Sequence, residues 1–244
     1  MMTGMAINGN QPRPAGLRER GNQWVSDRAG KKRFKTAYPA VPSYSQFGED
    51  IVLQRMLDGV TPGSFIDVGS GHPISGSNTY LLYQQGWRGI LIDPIPHNIT
   101  ESRRFRPLDT SVQTLCGVNT GEPVTFYEYT EWQYSTTSFD RVQELASLGH
   151  HLATQYAVPV MSPGTIATQM LANDPSAVNV LSIDVEGGEL DVLNSNKWDC
   201  YRPDIIVVEE WSPPLGQGTV ISRYLGEFGY RLEAVAGVIS FYRN

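Results

Sequence analysis

Cysteine is nearly absent from this 244-residue chain, with Cys116 and Cys200 alone. That excludes a disulfide scaffold, and both thiols read as reduced packing residues beside core strands. No apolar run approaches the roughly 20 residues of a membrane span, and the start of the chain lacks the apolar stretch of a secretory signal. Both absences point to a cytoplasmic protein. Charge is also sparse, at 18% of residues with a net of −6. Eight of the 19 basic residues, but only Glu19 and Asp27 of the 25 acidic ones, fall before residue 41. Residues 1–42 therefore read as a mobile basic arm, rich in Gly, Asn, Pro and Arg and without an apolar period. Lys31, Lys32 and Arg33 either touch an anionic partner or belong to a solvated tail. The remainder of the chain is acidic, which argues against a nucleic-acid substrate, since that needs a basic track. With 40% hydrophobic residues, residues 43–244 can build one sizeable core.

A further absence is informative. Gly63-Ser-Phe-Ile-Asp-Val-Gly-Ser-Gly71 reads as a buried strand running into two glycines. A dinucleotide fingerprint wants a third glycine, but Ile74 stands there. Asp67, just ahead of the loop, would repel a pyrophosphate and attract a cofactor carrying an ammonium and a sulfonium. The loop, with Gly69 and Ser70, thus favours S-adenosylmethionine (SAM) over NAD. Trp87-Arg-Gly-Ile-Leu-Ile-Asp93 gives the next strand. Asp93 ends it at the place where an acid grips ribose hydroxyls in doubly wound sheets, or where it caps the turn at Pro94.

The rest of the chain alternates helices and strands. A helix lies between Gln46 and Leu57, begun by Ser45 or Gly48. Ser77 and Asn78 cap a helix over 79–85 and face the cofactor loop. Strand three is expected at 114–118 and an added strand at 123–128. A helical insertion covers 139–156, with His150 and His151 in its middle. A short strand at 158–161 and a helix at 165–171 come next. Strand four lies at 178–184, strand five at 204–209, and a helix at 221–228. Ala236-Gly237 turns a closing hairpin.

The chain resembles the FkbM-type SAM-dependent methyltransferases. The blocks that carry the likeness are Tyr44-Ser-Gln-Phe-Gly-Glu-Asp50, Phe65-Ile-Asp-Val-Gly-Ser-Gly71, Ser77-Asn-Thr79, Gly86-Trp-Arg-Gly-Ile-Leu-Ile-Asp-Pro94, Leu181-Ser-Ile-Asp-Val-Glu-Gly187 and Arg202-Pro-Asp-Ile-Ile-Val-Val-Glu209. Together they span roughly residues 43–243. Relatives often carry Glu where this chain has Asp93; the carboxylate is kept. The resemblance implies an α/β fold with a class I SAM-dependent methyltransferase (Rossmann-like) sheet, mostly parallel with an antiparallel C-terminal strand. It also implies O-methylation, often of sugar hydroxyls. Gln46 would touch the cofactor, and Cys116 and Gly117 would neighbour the adenine. Trp132, Tyr134, Ser135, Thr136 and Thr137 would form a wall for a mono- or oligosaccharide.

Methyl transfer to an alcohol needs placement and proton removal. Asp184 and Glu186 end strand four; Glu209 and Glu210 end strand five. Two carboxylates at about 4 Å repel by roughly 4 kcal/mol at an effective dielectric of 20. A shared proton offsets this, and so does a hard cation. Asp184 with Glu209 or Glu210 resembles the Mg²⁺ ligands of metal-dependent O-methyltransferases. The alternative has Asp184 and Glu186 bonding cofactor and loop backbone. His150, His151 or Glu186 would be the base. The expected assembly is a homodimer. The rival readings are an NAD-type oxidoreductase, a non-catalytic subunit on the same fold, and an O-methyltransferase of a non-sugar natural product.

Overall fold

A computed structural model describes residues 40–170, 179–210 and 218–244. The basic arm up to residue 39, Leu171 of the expected helix and Val178 of strand four lie outside them. In chain order the fold runs α1 (Glu49–Met56), β1 (Ser64–Val68), α2 (Tyr80–Gln84), β2 (Arg88–Asp93), α3 (Pro96–Phe105), β3 (Thr110–Gln113), β4 (Leu115–Cys116) and β5 (Val124–Tyr129). A 3-10 turn at Trp132–Tyr134 precedes α4 (Phe139–Ser147), β6 (Leu152–Val158), β7 (Val160–Met161) and α5 (Pro163–Met170). Then come β8 (Asn179–Ile183), α6 (Glu189–Ser195), β9 (Ile205–Glu209), α7 (Val220–Glu227), β10 (Arg231–Ala236) and β11 (Ile239–Arg243).

The four central strands are apolar on both faces, as strands covered by helices on both sides must be. Their side chains alternate between two cores. Ile66, Val68, Ile90, Ile92, Leu181, Ile183, Ile206 and Val208 face one way, onto Ile166, Val192, Leu193 and Leu225 from the helices. Phe65, Leu91, Val180, Ile205 and Val207 face the other way, onto Leu53, Leu57 and Leu82. Seven strands form the sheet in the order β10-β11-β9-β8-β1-β2-β3. β3, β2, β1, β8 and β9 run parallel. β11 is antiparallel to both β9 and β10. This is the class I SAM-dependent methyltransferase sheet, Rossmann-like, with its reversed C-terminal strand.

Two expectations shift. Strand three of the sheet is Thr110–Gln113; the stretch expected there supplies β4, which pairs with β7 in a small ribbon. The helical insertion is half strand. α4 ends at Ser147 and Gly149 takes φ 88, which a helix cannot continue through. Beyond it the β-formers Thr154, Tyr156 and Val158 pair in β6 with β5, antiparallel. Cys116 is half-buried, but Cys200 is exposed in the turn after α6, so it is not a packing residue.

Candidate active site

The glycine loop forms where three strand ends converge. The N–H groups of Gly69 and Ser70 both donate to the Ile92 carbonyl, at 2.9 and 3.0 Å. Gly69 has φ 75, and a Cβ there would sit 1.7 Å from the Asp184 carbonyl oxygen. The tip of β8 thus occupies the space of a side chain, and only glycine fits. Asp184 N–H in turn donates to the Val68 carbonyl at 3.0 Å, so loop and β8 tip form one unit.

Asp93 is buried behind this loop and already engaged. Its Oδ2 accepts from Gly71 N–H at 2.9 Å and from Asn98 Nδ2 at 3.1 Å, and its Oδ1 from Ile95 N–H at 2.8 Å. Burial raises its pKa despite these bonds. Three of its roughly four acceptor positions are therefore filled by the protein, and Asp93 pins the loop to the start of α3. Asp67 is likewise withdrawn. The two-residue period turns it to the α1–α2 side of the sheet, where its Oδ2 accepts from the Thr79 hydroxyl at 2.6 Å. Burial raises its pKa; Thr79 and the nearby Arg106 guanidinium act the other way. Arg106 itself is fully buried, pairs with Asp109 at 2.8 Å and donates to Ser77 and Thr79. Ser77 Oγ accepts from the N–H groups of Thr79 and Tyr80, as an N-cap does, and Asn78 reaches Ser182. Ser77 and Asn78 thus brace the loop from beneath, with Asp67, and do not line the cavities around it.

A cavity of about 820 Å³ lies over the loop. Gly69, Ser70, Gly71, Asn98, Trp132 and Asp184 line it, with the strap Ser43–Gln46 as its opposite wall. The strap is held by two buried carboxylates. Asp50 accepts from Ser43 Oγ and Tyr44 N–H, each at 2.7 Å, and from Ser45 Oγ at 2.8 Å. Glu49 accepts from Phe47 N–H at 2.7 Å. Phe47 lies against Gly237 at the tip of the β10–β11 hairpin, where any Cβ would come within 2.5 Å of its ring. Ser70 Oγ is buried without a hydrogen-bond partner among the described residues.

A second cavity, about 350 Å³, shares Gly69 and is walled by Ile92, Cys116, Gly117, Ser135, Thr136, Thr137 and Glu186. A third, about 380 Å³, is lined by Glu186, Glu189, Glu209, Glu210 and residues 219–221. All three open around the tip of β8. Asp184, at that tip, is pushed up to about 8 by burial first, then by Glu209, Glu186, Asp67 and Glu189. Glu209 is raised too, chiefly by burial, and is relieved by a hydrogen bond from Asp184. A protonated Asp184 can donate to Glu209. Glu186, raised by burial and by Glu209 and Glu189, has φ 60, the left-handed region that a non-glycine residue rarely takes.

The magnesium expectation does not fit. Glu210 turns to Tyr242, whose hydroxyl donates to its Oε1 at 2.5 Å. Among the described residues no three His, Cys, Asp or Glu side chains converge to hold an ion. Nor are the histidines brought to the cavities. His150 packs its ring 4.2 Å from that of Tyr134, His151 is exposed, and none of these three residues lines any of the three cavities. Sequence reasoning missed Asn98, Asp50 and the Tyr156–Glu128 pair at 2.7 Å. Only Asp50 carried a signal, as the last residue of a block already singled out.

Residues 67–232 match the methyltransferase FkbM domain, and the chain belongs to that family of SAM-dependent methyltransferases. Among solved structures it is similar to a TehB-like SAM-dependent methyltransferase from Corynebacterium glutamicum, at 14% identity and TM-score 0.40, over 93% of this chain and 100% of that one. It is also similar to precorrin 8w decarboxylase from Methanobacterium thermoautotrophicum, at 15% identity and TM-score 0.36, over 85% and 95% of the two chains. No curated protein matches it. Among the described residues no helix is long and apolar enough to cross a membrane.

Proposed function

We propose that this methyltransferase acts on a hydroxyl group, that the hydroxyl belongs to a saccharide, and that Asp184 is the base. The observation that supports this most is the state of Asp184. It lines the cavity over the glycine loop, and its carboxyl is pushed up to about 8 by burial and by neighbouring carboxylates. Once its own proton has passed to Glu209, a carboxylate with so high a proton affinity is a far better acceptor for an alcohol proton than an ordinary Asp. Glu209, which accepts its hydrogen bond, is the way out.

The buried, unpartnered Ser70 hydroxyl fits a cofactor rich in hydroxyl and charged groups. SAM would be held by Gln46, Ser70 and Asn98, with Cys116 and Gly117 beside its base, and it supplies an electrophilic methyl group. Trp132 offers a face for a sugar ring, and Ser135, Thr136 and Thr137 offer hydroxyl partners. A screen of radiolabelled methyl transfer from SAM to mono- and oligosaccharides, catechols and peptides tests the reading. Alkali-stable label on sugars is the expected result. Label confined to phenols or peptides would overturn it.

A further inference from the structure

We infer that the cavity beyond the tips of β8 and β9 is a cation subsite for the acceptor, and that the acceptor carries a protonated amine, as an amino sugar does. This rests on the reading of the neighbouring cavities as a sugar methylation site. Four carboxylates, Glu186, Glu189, Glu209 and Glu210, line the cavity, and no Lys, Arg or His is among its described lining residues. Glu189 is partly occupied, since its Oε1 accepts from the N–H groups of Val185 and Gly187 at 3.2 and 2.9 Å. An independent observation comes from Glu210. It is only 8% exposed, its Oε1 is taken by Tyr242, and its Oε2 is buried with no hydrogen-bond partner among the described residues. A buried acceptor left without a donor is unfavourable, and more so when charged, so the site asks for a donor with positive charge.

A bare metal ion does not meet the demand. Hard divalent ions need several oxygens at about 2.0–2.6 Å, and among the described residues no such set converges. The cavity, about 380 Å³, is also far larger than an ion. An ammonium on a carbon ring suits it better. The cation would meet the carboxylates, and the ring would lie against Val220 and Ile221. Glu186 and Gly187 also line the cavity that holds Ser135, Thr136 and Thr137, so one acceptor can span the two.

Saturation-transfer NMR of the full chain with glucosamine, N-acetylglucosamine and glucose tests this, with and without MgCl₂. Glucosamine should bind about tenfold tighter than the other two. Glu210→Gln, which keeps the bond from Tyr242, should erase the preference, and Glu209→Gln should weaken it if the first variant folds poorly. Equal binding of all three sugars would overturn the inference, and so would displacement of glucosamine by Mg²⁺. A calorimetric titration with SAM on the same sample separates the two readings. Glucosamine preference without SAM binding would remove the methylation reading alone; SAM binding without the preference would remove this inference alone.

Discussion

Replacing Asp184 by Asn should stabilise the folded protein at alkaline pH while abolishing turnover. The carboxyl rises from 3.8 to about 8 on folding, through burial and the charges of Glu209, Glu186, Asp67 and Glu189. The folded state therefore holds a proton that the unfolded chain releases. Stability is full below the unfolded value and falls as pH rises toward the folded one, so the losses lie between about pH 4 and pH 8. Each unit is worth about 1.4 kcal/mol, which sets a ceiling near 6 kcal/mol. Asp184 hydrogen-bonds to Glu209, and the shift belongs to the pair. Allowing for that, about 2–4 kcal/mol should appear as a gain for Asp184→Asn at pH 9. At about pH 4 and below the two proteins should be nearly alike, because an amide mimics the protonated acid and still donates to Glu209. Urea unfolding at both pH values gives the comparison. In the same variant, methyl transfer should fall by about 10²–10⁴-fold, the usual worth of a general base. Parallel stability curves for the two proteins would refute the electrostatic argument, and full activity would refute the base.

Gly69→Ala should cost about 3 kcal/mol or more, since its Cβ would sit 1.7 Å from the Asp184 carbonyl; denaturant titration reads this, and a loss under about 1 kcal/mol would contradict the loop geometry. Asp50→Ala removes the acceptor of Ser43, Tyr44 and Ser45, and should weaken SAM binding about tenfold with a much smaller effect on the maximal rate. Calorimetry and saturation kinetics together check that split. Excess EDTA should leave turnover intact, because no three suitable donors converge among the described residues; loss of activity restored by Mg²⁺ would reverse that conclusion.

The sheet was legible because its strands announce themselves. Phe65 to Val68, Ile90 to Ile92 and Ile205 to Val208 are short apolar runs ending in Gly or acid, and the parallel order comes from the intervening helices. Gly69, Asp184 and Glu209 were legible for the same reason, as residues at strand ends. Hidden in the sequence were side chains whose partners lie far along the chain. Asp67 looks free beside the loop, yet Thr79, 12 residues on, and Arg106 take its charge into the interior. Asp93 looks like a ribose ligand, and nothing in the sequence signals that Gly71, Ile95 and Asn98 also bond to it. His150 and His151 were placed by a helical reading of a stretch in which Gly149 stops the helix and β6 begins. Glu210 seemed a twin of Glu209, but the Tyr242 hydroxyl, 32 residues on, occupies its Oε1.

The most direct test is calorimetric titration of the chain with SAM, its demethylated product and NAD. One site per chain is predicted for SAM and for the product, lost when Ser70 and Asn98 are both replaced by Leu, and no heat is predicted with NAD. Binding of NAD with none of SAM would contradict the assignment of the glycine loop to a methyl donor.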